Sequence, residues 1–426
     1  MGKIAIRLGI ALLTSALIVA PALAQTYQVI HRFSGGGDGS HPLDGLSIDR
    51  AGNLYGTASA GGITQGSCAA DSGCGVVFQM KHTGLGWVLN PLYSFTGSPD
   101  GQHPLARVII GPDGALYGTT QLGGQVGQIG DDCGVVYRLT PPANSPHSAI
   151  YPWNETILYS PSGQGDDGCD LINAGGLAFD RSGNLYGTTY FGGTGGPYLG
   201  TVFELTHSGD EWTESVVHNF AGGYDGENPS AGVTVDSAGN VFGTTNLGGC
   251  EFCQGTAFQV APSQSGWTES ILHAFIYDDP DGNEPEGGVI LDGSGNLYGS
   301  TVGGGSGYGG TLFQIMPSGD DWNLNLIYSF EGEFGPFSDL LLDSAGNLYG
   351  TAYTDGRFGA GSVYKLSPSL GGWTYTSLYD FHGDGDGAGP ESNLVMDSAG
   401  NLYGTTAAGG SGNCQSGCGV VFEITP

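Results

Sequence analysis

Basic residues are scarce in this chain of 426 residues. It has 10 lysines and arginines against 41 aspartates and glutamates, which gives a formal net charge of −31 at pH 7. Such a surface repels phosphate groups, so we exclude nucleic acids and anionic membrane surfaces as partners. The same charge favours a soluble monomer. Cations, carbohydrates, peptides and neutral ligands remain open as partners.

The motifs of common catalytic sites are missing. The sequence contains no nucleophile elbow, no HExxH and no phosphate-binding loop. The glycine-rich run GGGSGYGG (303–310) is followed by neither a lysine nor a helical pattern. We therefore predict no catalytic residue of these classes, and we favour a protein that is not an enzyme.

The one long hydrophobic run stands at the start of the chain. Basic residues precede the apolar stretch 8–20, and Ala-Leu-Ala at 22–24 has the small residues of a signal-peptidase site. We predict that 1–24 is a cleavable signal peptide rather than a membrane anchor, because the stretch is too short to span a bilayer comfortably. The mature chain, 25–426, is then a single domain that is secreted or periplasmic.

Cysteine is also infrequent, with eight residues in all. An even number of cysteines in an exported chain predicts disulfides. Three pairs each lie within one loop, and Cys133 and Cys169 remain: Cys68 and Cys74, Cys250 and Cys253, Cys414 and Cys418. A zinc site at Cys250-x-x-Cys253 is the weaker alternative, because its further ligands would come from distant loops.

Glycine, in contrast, is abundant, with 82 residues clustered at turns. A string of ten residues recurs seven times, with DSAGNLYGTT (397–406) as its last copy. The position of Asn53 recurs at 115, 184, 240, 296, 347 and 401. This period suits a propeller blade of four strands and exceeds one turn of a solenoid.

Each repeat shows four strand-like runs, exemplified by GLSID (45–49), NLYGTA (53–58), GVVFQM (75–80) and WVLNPLYSF (87–95). We predict an all-β, seven-bladed propeller with four antiparallel strands per blade. The recurring string would join the first two strands of a blade. Its glycine would adopt a left-handed conformation, and its aspartate would accept backbone N–H groups. The string is therefore predicted to be structural.

The two ends of the chain complement each other. TYQVIHRF (26–33) resembles a fourth strand, whereas the chain ends after a third strand, GVVFEI (419–424). We predict that the N-terminal strand completes the last blade and closes the ring, which removes an open sheet edge.

The repeat resembles the GloVer repeat of exported bacterial "choice-of-anchor" tandem-repeat proteins. The resemblance rests on DSAGNLYGTT, the following glycine pair and the pattern G-[VT]-[VL]-F-x-[LI], and it covers 26–426. It implies an exported, propeller-like array and supplies no catalytic residue. The D-x-x-G-N-[LI]-Y string is also similar to hairpins of NHL-type and lactonase-type propellers.

Function is expected in the loops between strands two and three and between strands four and one. These loops lie on the same side of a propeller, which we call the loop face. Two of these loops are rich in carboxylates and glycine, as calcium sites are. The alternative is that these carboxylates form Asx turns. The candidate calcium ligands are Asp279, Asp281, Glu284, Asp384 and Asp386.

Other candidates on the loop face are polar pairs and aromatic residues. Asp38-x-x-His41 and Asp100-x-x-His103 lie in neighbouring repeats, where they could form a metal or acid–base site. The alternative is that the two pairs are alike only because they belong to copies of one repeat. Asp225 lies in a similar Asp-Gly loop. Aromatic rings that could stack on sugars are Tyr198, Tyr224 and Tyr308.

Two functions are compatible with these observations. The first is a non-catalytic scaffold that binds a glycan, peptide or protein through the loop face. The second is a Ca²⁺-dependent, lactonase- or esterase-like hydrolase with its site in the central channel. The hydrolase needs polar groups on the innermost strands, and the sequence offers few of them: Asn173, Glu286, Asp339 and Asn393. We therefore favour the scaffold, with Ca²⁺ as the one conceivable cofactor.

Overall fold

Seven four-stranded antiparallel sheets surround a central channel. The computed structural model describes residues 25–69, 72–125, 132–142, 152–171, 176–209, 211–277, 280–319, 321–410 and 412–426. The predicted signal peptide, 1–24, and Asn173 lie outside the described residues. Within them, helix is confined to two 3₁₀ turns, Gly66–Ala69 and Gly223–Asp225. The protein is a seven-bladed β-propeller, as predicted.

The strands of each blade follow one another from the channel outwards. Blade 1 contains β2 (Leu46–Ile48), β3 (Leu54–Ala58), β4 (Val76–Thr83) and β5 (Gly86–Ser94). Blade 2 contains β6 (Ile109–Ile110), β7 (Leu116–Thr120), β8 (Val135–Thr140) and β9 (Asn154–Tyr159). Blade 3 contains β11 (Ala178–Phe179), β12 (Leu185–Thr189), β14 (Thr201–Ser208) and β15 (Glu211–Asn219). A two-stranded ribbon beside it consists of β10 (Gly168–Cys169) and β13 (Phe191–Gly192).

The remaining blades repeat this order. Blade 4 contains β16 (Thr234–Val235), β17 (Val241–Thr245), β18 (Cys253–Ser263) and β19 (Gly266–Ile276). Blade 5 contains β20 (Ile290–Leu291), β21 (Leu297–Thr301), β22 (Tyr308–Ser318) and β23 (Asp321–Glu331). Blade 6 contains β24 (Leu341–Leu342), β25 (Leu348–Ala352), β26 (Ser362–Ser369) and β27 (Gly372–Asp380). Blade 7 contains β28 (Val395–Met396), β29 (Leu402–Thr406), β30 (Val420–Thr425) and, outermost, β1 (Thr26–Arg32).

The two ends of the chain meet in blade 7. Strand β1 pairs antiparallel with β30, from Thr26 opposite Thr425 to Arg32 opposite Val420. Nearer the channel, Gly45 of blade 1 forms a parallel bridge with Asn393 of blade 7. The first and last blades are thus joined by backbone contacts near the axis.

The recurring string forms a hydrogen-bonded turn. In blade 6, Asp343 Oδ1 accepts the backbone N–H groups of Ala345 and Asn347, both at 2.9 Å. Its Oδ2 accepts the Asn347 side chain at 2.7 Å and the Tyr349 hydroxyl at 3.1 Å. Gly346 adopts φ +83°, the left-handed region that glycine tolerates. The string is therefore structural, as predicted.

The strand after this turn fills both neighbouring interfaces. Leu54 packs in the cluster between blades 7 and 1, whereas Tyr55 packs in the cluster between blades 1 and 2. At Gly56 a Cβ atom would lie 2.7 Å from the Phe78 ring, so only glycine fits there.

Tryptophans recur at the interfaces between blades. Six interfaces hold a tryptophan from the start of the fourth strand, whose ring contacts an aromatic ring on the second strand of the preceding blade, with centroids 5.6 to 6.4 Å apart. We call this position the tryptophan slot. The six pairs are Trp87–Tyr403, Trp153–Tyr55, Trp212–Tyr117, Trp267–Tyr186, Trp322–Phe242 and Trp373–Tyr298.

Candidate functional site at the channel mouth

The residue that begins each innermost segment is glycine in four blades. In blades 2, 6 and 7 the same position is held by Arg107, Asp339 and Asn393, and all three side chains line the central cavity. The seven-fold symmetry of the channel is therefore broken by three polar groups. The four glycines are Gly45, Gly176, Gly232 and Gly288.

An ion pair crosses the channel between blades 2 and 6. Arg107 Nη1 lies 3.1 Å from Asp339 Oδ2. The backbone N–H of Arg107 donates to Asp44 Oδ2 at 2.7 Å, and that of Gly288 donates to Asp339 Oδ1 at 2.7 Å. Burial alone would lower the pKa of Arg107, but the carboxylates of Asp339 and Asp44 outweigh it and raise the pKa. The guanidinium therefore stays charged inside the channel.

The cavity around this ion pair has a volume of about 350 Å³. Its walls are largely leucine and isoleucine side chains of the innermost strands, such as Leu46, Ile110 and Leu340. Asn393 is 8% exposed, and its Oδ1 has no hydrogen-bond partner among the described residues. Few polar groups on an apolar wall are typical of a ligand site.

Carboxylic acids gather around the mouth of the channel on the loop face. Glu286 of the blade 5 loop accepts a hydrogen bond from Asn246 of blade 4 at 3.2 Å. Burial raises the pKa of Glu391, from the blade 7 loop, to about 7, and the charge of Glu286 adds to this effect. Burial also raises the pKa of Glu286, to which Glu284 contributes. Groups of blades 4, 5 and 7 can influence one another only near the axis.

A ring of strained residues surrounds the same mouth. Equivalent positions in five of the loops that lead to a first strand carry non-glycine residues with φ between +54° and +66°. Such residues are rare in the left-handed region, and strain of this kind concentrates at functional sites. The five residues are His41, His103, Asp170, Asn228 and Glu284. The Asn228 side chain has a structural role, since it donates to the backbone carbonyls of Tyr190 and Tyr198 at 3.1 and 2.7 Å.

The residues of the predicted Asp–His pairs contact neighbours outside each pair, and the pairing itself stays a prediction. Asp38, in the loop from blade 7 to blade 1, lies 3.2 Å from His31 on β1, and His41 contacts Ser40 at 3.2 Å. Asp100 accepts the hydroxyl of Tyr93 at 2.9 Å.

Asp225 Oδ2 and His218 Nε2 lie 3.3 Å apart in the equivalent place. The aspartates of the Asp-Gly loops thus brace the outer strands.

The predicted calcium ligands are divided between two blades. Asp281 lies 2.6 Å from His273, and Asp386 accepts the hydroxyl of Tyr379 at 2.8 Å. Asp384 offers its backbone carbonyl to Gly410 N–H at 2.8 Å. Asp279 lies outside the described residues. In the described part of the chain, no group of three or more His, Cys, Asp or Glu residues is arranged to hold a metal ion.

The predicted aromatic residues lie on the loop face and are largely exposed. Tyr198 and Tyr224 lie in loops of blades 3 and 4, and Tyr308 is the first residue of β22 in blade 5. Tyr198 packs edge-on against Phe191 with centroids 5.6 Å apart, which fixes one face of its ring. Their role in stacking on a sugar stays a prediction.

A second set of acidic groups is half-buried on the outer strands. Glu155, Glu214 and Glu269 each follow a slot tryptophan by two residues, and burial raises the pKa of each to about 7. Each also lies close to an aspartate in the loop that joins its blade to the preceding blade. The triplet W-x-E could have revealed these residues in the sequence, but the sequence analysis missed them.

All eight cysteines form disulfides. Three bonds close short loops, as predicted, between Cys68 and Cys74, Cys250 and Cys253, and Cys414 and Cys418. The zinc alternative for Cys250 and Cys253 is thereby wrong. Cys133 of blade 2 is bonded to Cys169, which precedes blade 3, so this bond links two blades.

Fold and site together define a seven-bladed repeat propeller with polar groups at the end of its channel that opens on the loop face. The chain belongs to the Gloeobacter/Verrucomicrobia repeat family, whose model matches residues 17–171, 155–335 and 253–426. This match confirms the family resemblance noted in the sequence. No curated protein matches the chain.

Solved structures share the fold at low identity. The chain is 10% identical to the extracellular domain of a protein assigned as a one-component system from B. thetaiotaomicron, with 93% of this chain and 40% of that chain covered and a TM-score of 0.52. A protein assigned as a 6-phosphogluconolactonase from Bacteroides uniformis is 16% identical, with 85% and 89% covered and a TM-score of 0.49. These likenesses concern the fold alone. No helix of the described residues has the length and apolarity needed to cross a membrane.

Proposed function

We propose that the protein is an exported, non-catalytic binding propeller that takes a neutral carbohydrate at the channel mouth on the loop face. The observation that carries this proposal is the replacement of glycine by Arg107, Asp339 and Asn393 in an otherwise repeated channel lining. A repeat that departs from its own pattern where side chains meet a cavity has a local use for those side chains. The four disulfides support export.

The chemistry of the mouth favours hydroxyl groups over charged ones. Carboxylates and carboxamides such as Glu286, Asn246 and Asn393 accept or donate the hydrogen bonds that sugar hydroxyls make. Apolar strand residues offer a surface for the C–H face of a sugar ring. The net charge of −31 disfavours phosphorylated or sulfated sugars.

The arrangement disfavours a Ca²⁺-dependent hydrolase in the channel. Such an enzyme needs several carboxylates facing one cation. Among the described residues that line the cavity, Asp339 is the one with a carboxylate, and the charge of Arg107 already neutralises it. A divalent cation there would meet the guanidinium charge.

The test is to probe the purified protein against immobilised neutral oligosaccharides. We expect saturable binding that weakens at least ten-fold in Asn393→Ser. The matched control is Asn323→Ser on the exposed outer strand of blade 5, which should bind like the parent. Absence of any carbohydrate binding, or equal binding by Asn393→Ser, would refute the proposal. Selective binding to a peptide array instead would assign the mouth to a different ligand class.

A metal-independent hydrolase is the second candidate, and the Glu286–Glu391 pair favours it. An acid held protonated near neutral pH beside a second carboxyl group is suited to general acid catalysis. The test is turnover of lactones, 4-nitrophenyl esters and 4-nitrophenyl glycosides in the presence of a chelator. Activity that Glu391→Gln abolishes would establish this candidate and displace the non-catalytic proposal.

A further inference from the structure

The interface between blades 6 and 7 lacks the tryptophan of the other six interfaces. The reason is that β1, which begins next to the described N-terminus, serves as the fourth strand of blade 7. In blade 5, Trp322 stands two residues before Leu324, which pairs with Ile315. In blade 7, the residue in the place of Leu324 is Tyr27, which pairs with Ile424. Gln25 therefore occupies the tryptophan position of the seventh slot.

Among the described residues, no ring takes the place of this tryptophan. A cavity of about 270 Å³ lies there, and Gln25 lines it. The other residues that line it occupy the same repeat positions as the residues at the Trp373 slot, between blades 5 and 6. The cavity is lined by Tyr349, Lys365, Leu378, Leu402 and Ile424. The counterparts around Trp373 are Tyr298, Gln314, Ile327, Leu348 and Leu366.

The surroundings of the slot are also suited to a protein partner. The slot opens beside Gly400 and Pro426, on the side of the ring opposite the loop face. On that side, Leu370 and Leu85 are fully exposed at the tips of the outer hairpins of blades 6 and 1, which flank blade 7. Lys365 makes no ion pair among the described residues, and its ammonium lies 5.4 Å from the Tyr349 ring centroid. A pocket for one aromatic ring, with exposed leucines at the flanking blades, resembles an anchor site of a protein interface.

We propose that the seventh slot binds the indole ring of a tryptophan side chain presented by a polypeptide partner. Six copies of the same slot in the same chain already hold this ring in the same surroundings, which is the direct argument for its identity. The slot is separate from the channel mouth, so its function does not depend on carbohydrate binding.

The experiment uses N-acetyl-L-tryptophanamide as the probe, with binding to the purified protein measured by saturation-transfer NMR and calorimetry. We expect saturable binding, and none with N-acetyl-L-alaninamide. Gln25→Trp places the missing ring in the slot from within the chain. It should weaken probe binding at least ten-fold and raise the melting temperature.

The matched control is Gln28→Trp, which adds the same side chain at an exposed position of β1 and should leave probe binding unchanged. The melting temperature of Gln25→Trp verifies that this variant is folded. The proposal is wrong if the probe fails to bind up to its solubility limit, or if Gln25→Trp binds it as well as the parent does. Equal binding of the alanine compound would also overturn it.

Discussion

Trp87 of blade 1 packs edge-on against Tyr403 of blade 7, with ring centroids 5.6 Å apart and a 69° angle between the rings. The Trp87 indole also donates to Glu423 at 3.4 Å. This contact lies at the interface where the first blade meets the last. The interface between the first and last blades therefore has the same residue types at equivalent positions as the interfaces between consecutive blades.

We predict that Trp87→Ala lowers the free energy of unfolding by about 2–3 kcal/mol, less than for a fully buried tryptophan because the ring is half-buried. Trp322→Ala, at the equivalent place between blades 4 and 5, should cost the same amount. Urea denaturation of the two variants makes the comparison. A negligible loss for Trp87→Ala beside a full loss for Trp322→Ala would show that the closing interface is not stabilised in this way.

The hairpin aspartates should make stability fall in acid. Burial opposes ionisation of Asp343, but hydrogen bonds from Asn347 and Tyr349 outweigh it and lower the pKa of Asp343 below 3.8. Since the folded state prefers the carboxylate, this contribution is present above the unfolded pKa and is lost as the pH falls through the folded pKa. We expect Asp343→Ala to cost about 1–2 kcal/mol at pH 7 and progressively less below about pH 4.

Denaturant titrations of the parent and of Asp343→Ala across pH 2 to 7 test this prediction. Asp321→Ala, which removes an exposed carboxylate of the outer hairpin of blade 5, controls for the change in net charge. A cost that stays constant down to pH 2 would mean that ionisation of Asp343 contributes nothing.

The half-buried carboxylic acids of the outer strands should have the opposite effect on the pH dependence of stability. Burial raises the pKa of Glu214 from 4.5 to about 7, and Asp167 and Asp166 add to it. The protonated form is therefore favoured on folding. This stability is fully present below pH 4.5 and is lost as the pH rises through about 7. Because the side chain is only half-buried, we expect Glu214→Gln to gain on the order of 1 kcal/mol at pH 8 and nothing at pH 4.

Urea titrations at the two pH values give the comparison, and the exposed Glu211→Gln on the same strand is its control. Equal effects of Glu214→Gln at pH 4 and pH 8 would contradict the raised pKa.

The disulfide that links two blades should contribute more to the free energy of unfolding than the disulfides within single loops. The Cys133–Cys169 bond closes a segment of 36 residues, whereas the others close segments of three to six residues. On loop entropy alone, removing it with Cys133→Ser and Cys169→Ser should cost about 4 kcal/mol, against about 2 kcal/mol for Cys250→Ser with Cys253→Ser. Melting temperatures of the two double variants test the order. A reversed order would mean that native-state contacts outweigh the chain entropy.

The fold could be predicted because its determinants lie within each repeat. The aspartate, glycine, leucine and tyrosine of the hairpin act through neighbours a few residues away, as Asp343 and Tyr349 do. Seven copies then fixed the number of blades. The boundaries were close to those observed, with β1 ending at Arg32 rather than at 33.

The site was predicted less well because it depends on residues brought together from different blades. Asp339 and Asn393 were recognised as exceptions, but Arg107 was missed, since a single arginine before an apolar strand carries no local signal. The Asp-Gly loops were candidate ligand sites, with structural turns as the alternative, and the contacts of Asp38 and Asp225 with histidines of the preceding outer strands were not foreseen. The open slot was missed because it is defined by a residue that one copy of the pattern lacks.

The pairing of β1 with β30 also has a consequence for biosynthesis. Strand β1 is synthesised long before β30, the strand with which it pairs. Contacts of such large sequence separation form slowly. During synthesis the chain would therefore have two unpaired strand edges until β30 has been made. Folding factors that delay association of those edges would then determine the yield of the finished molecule.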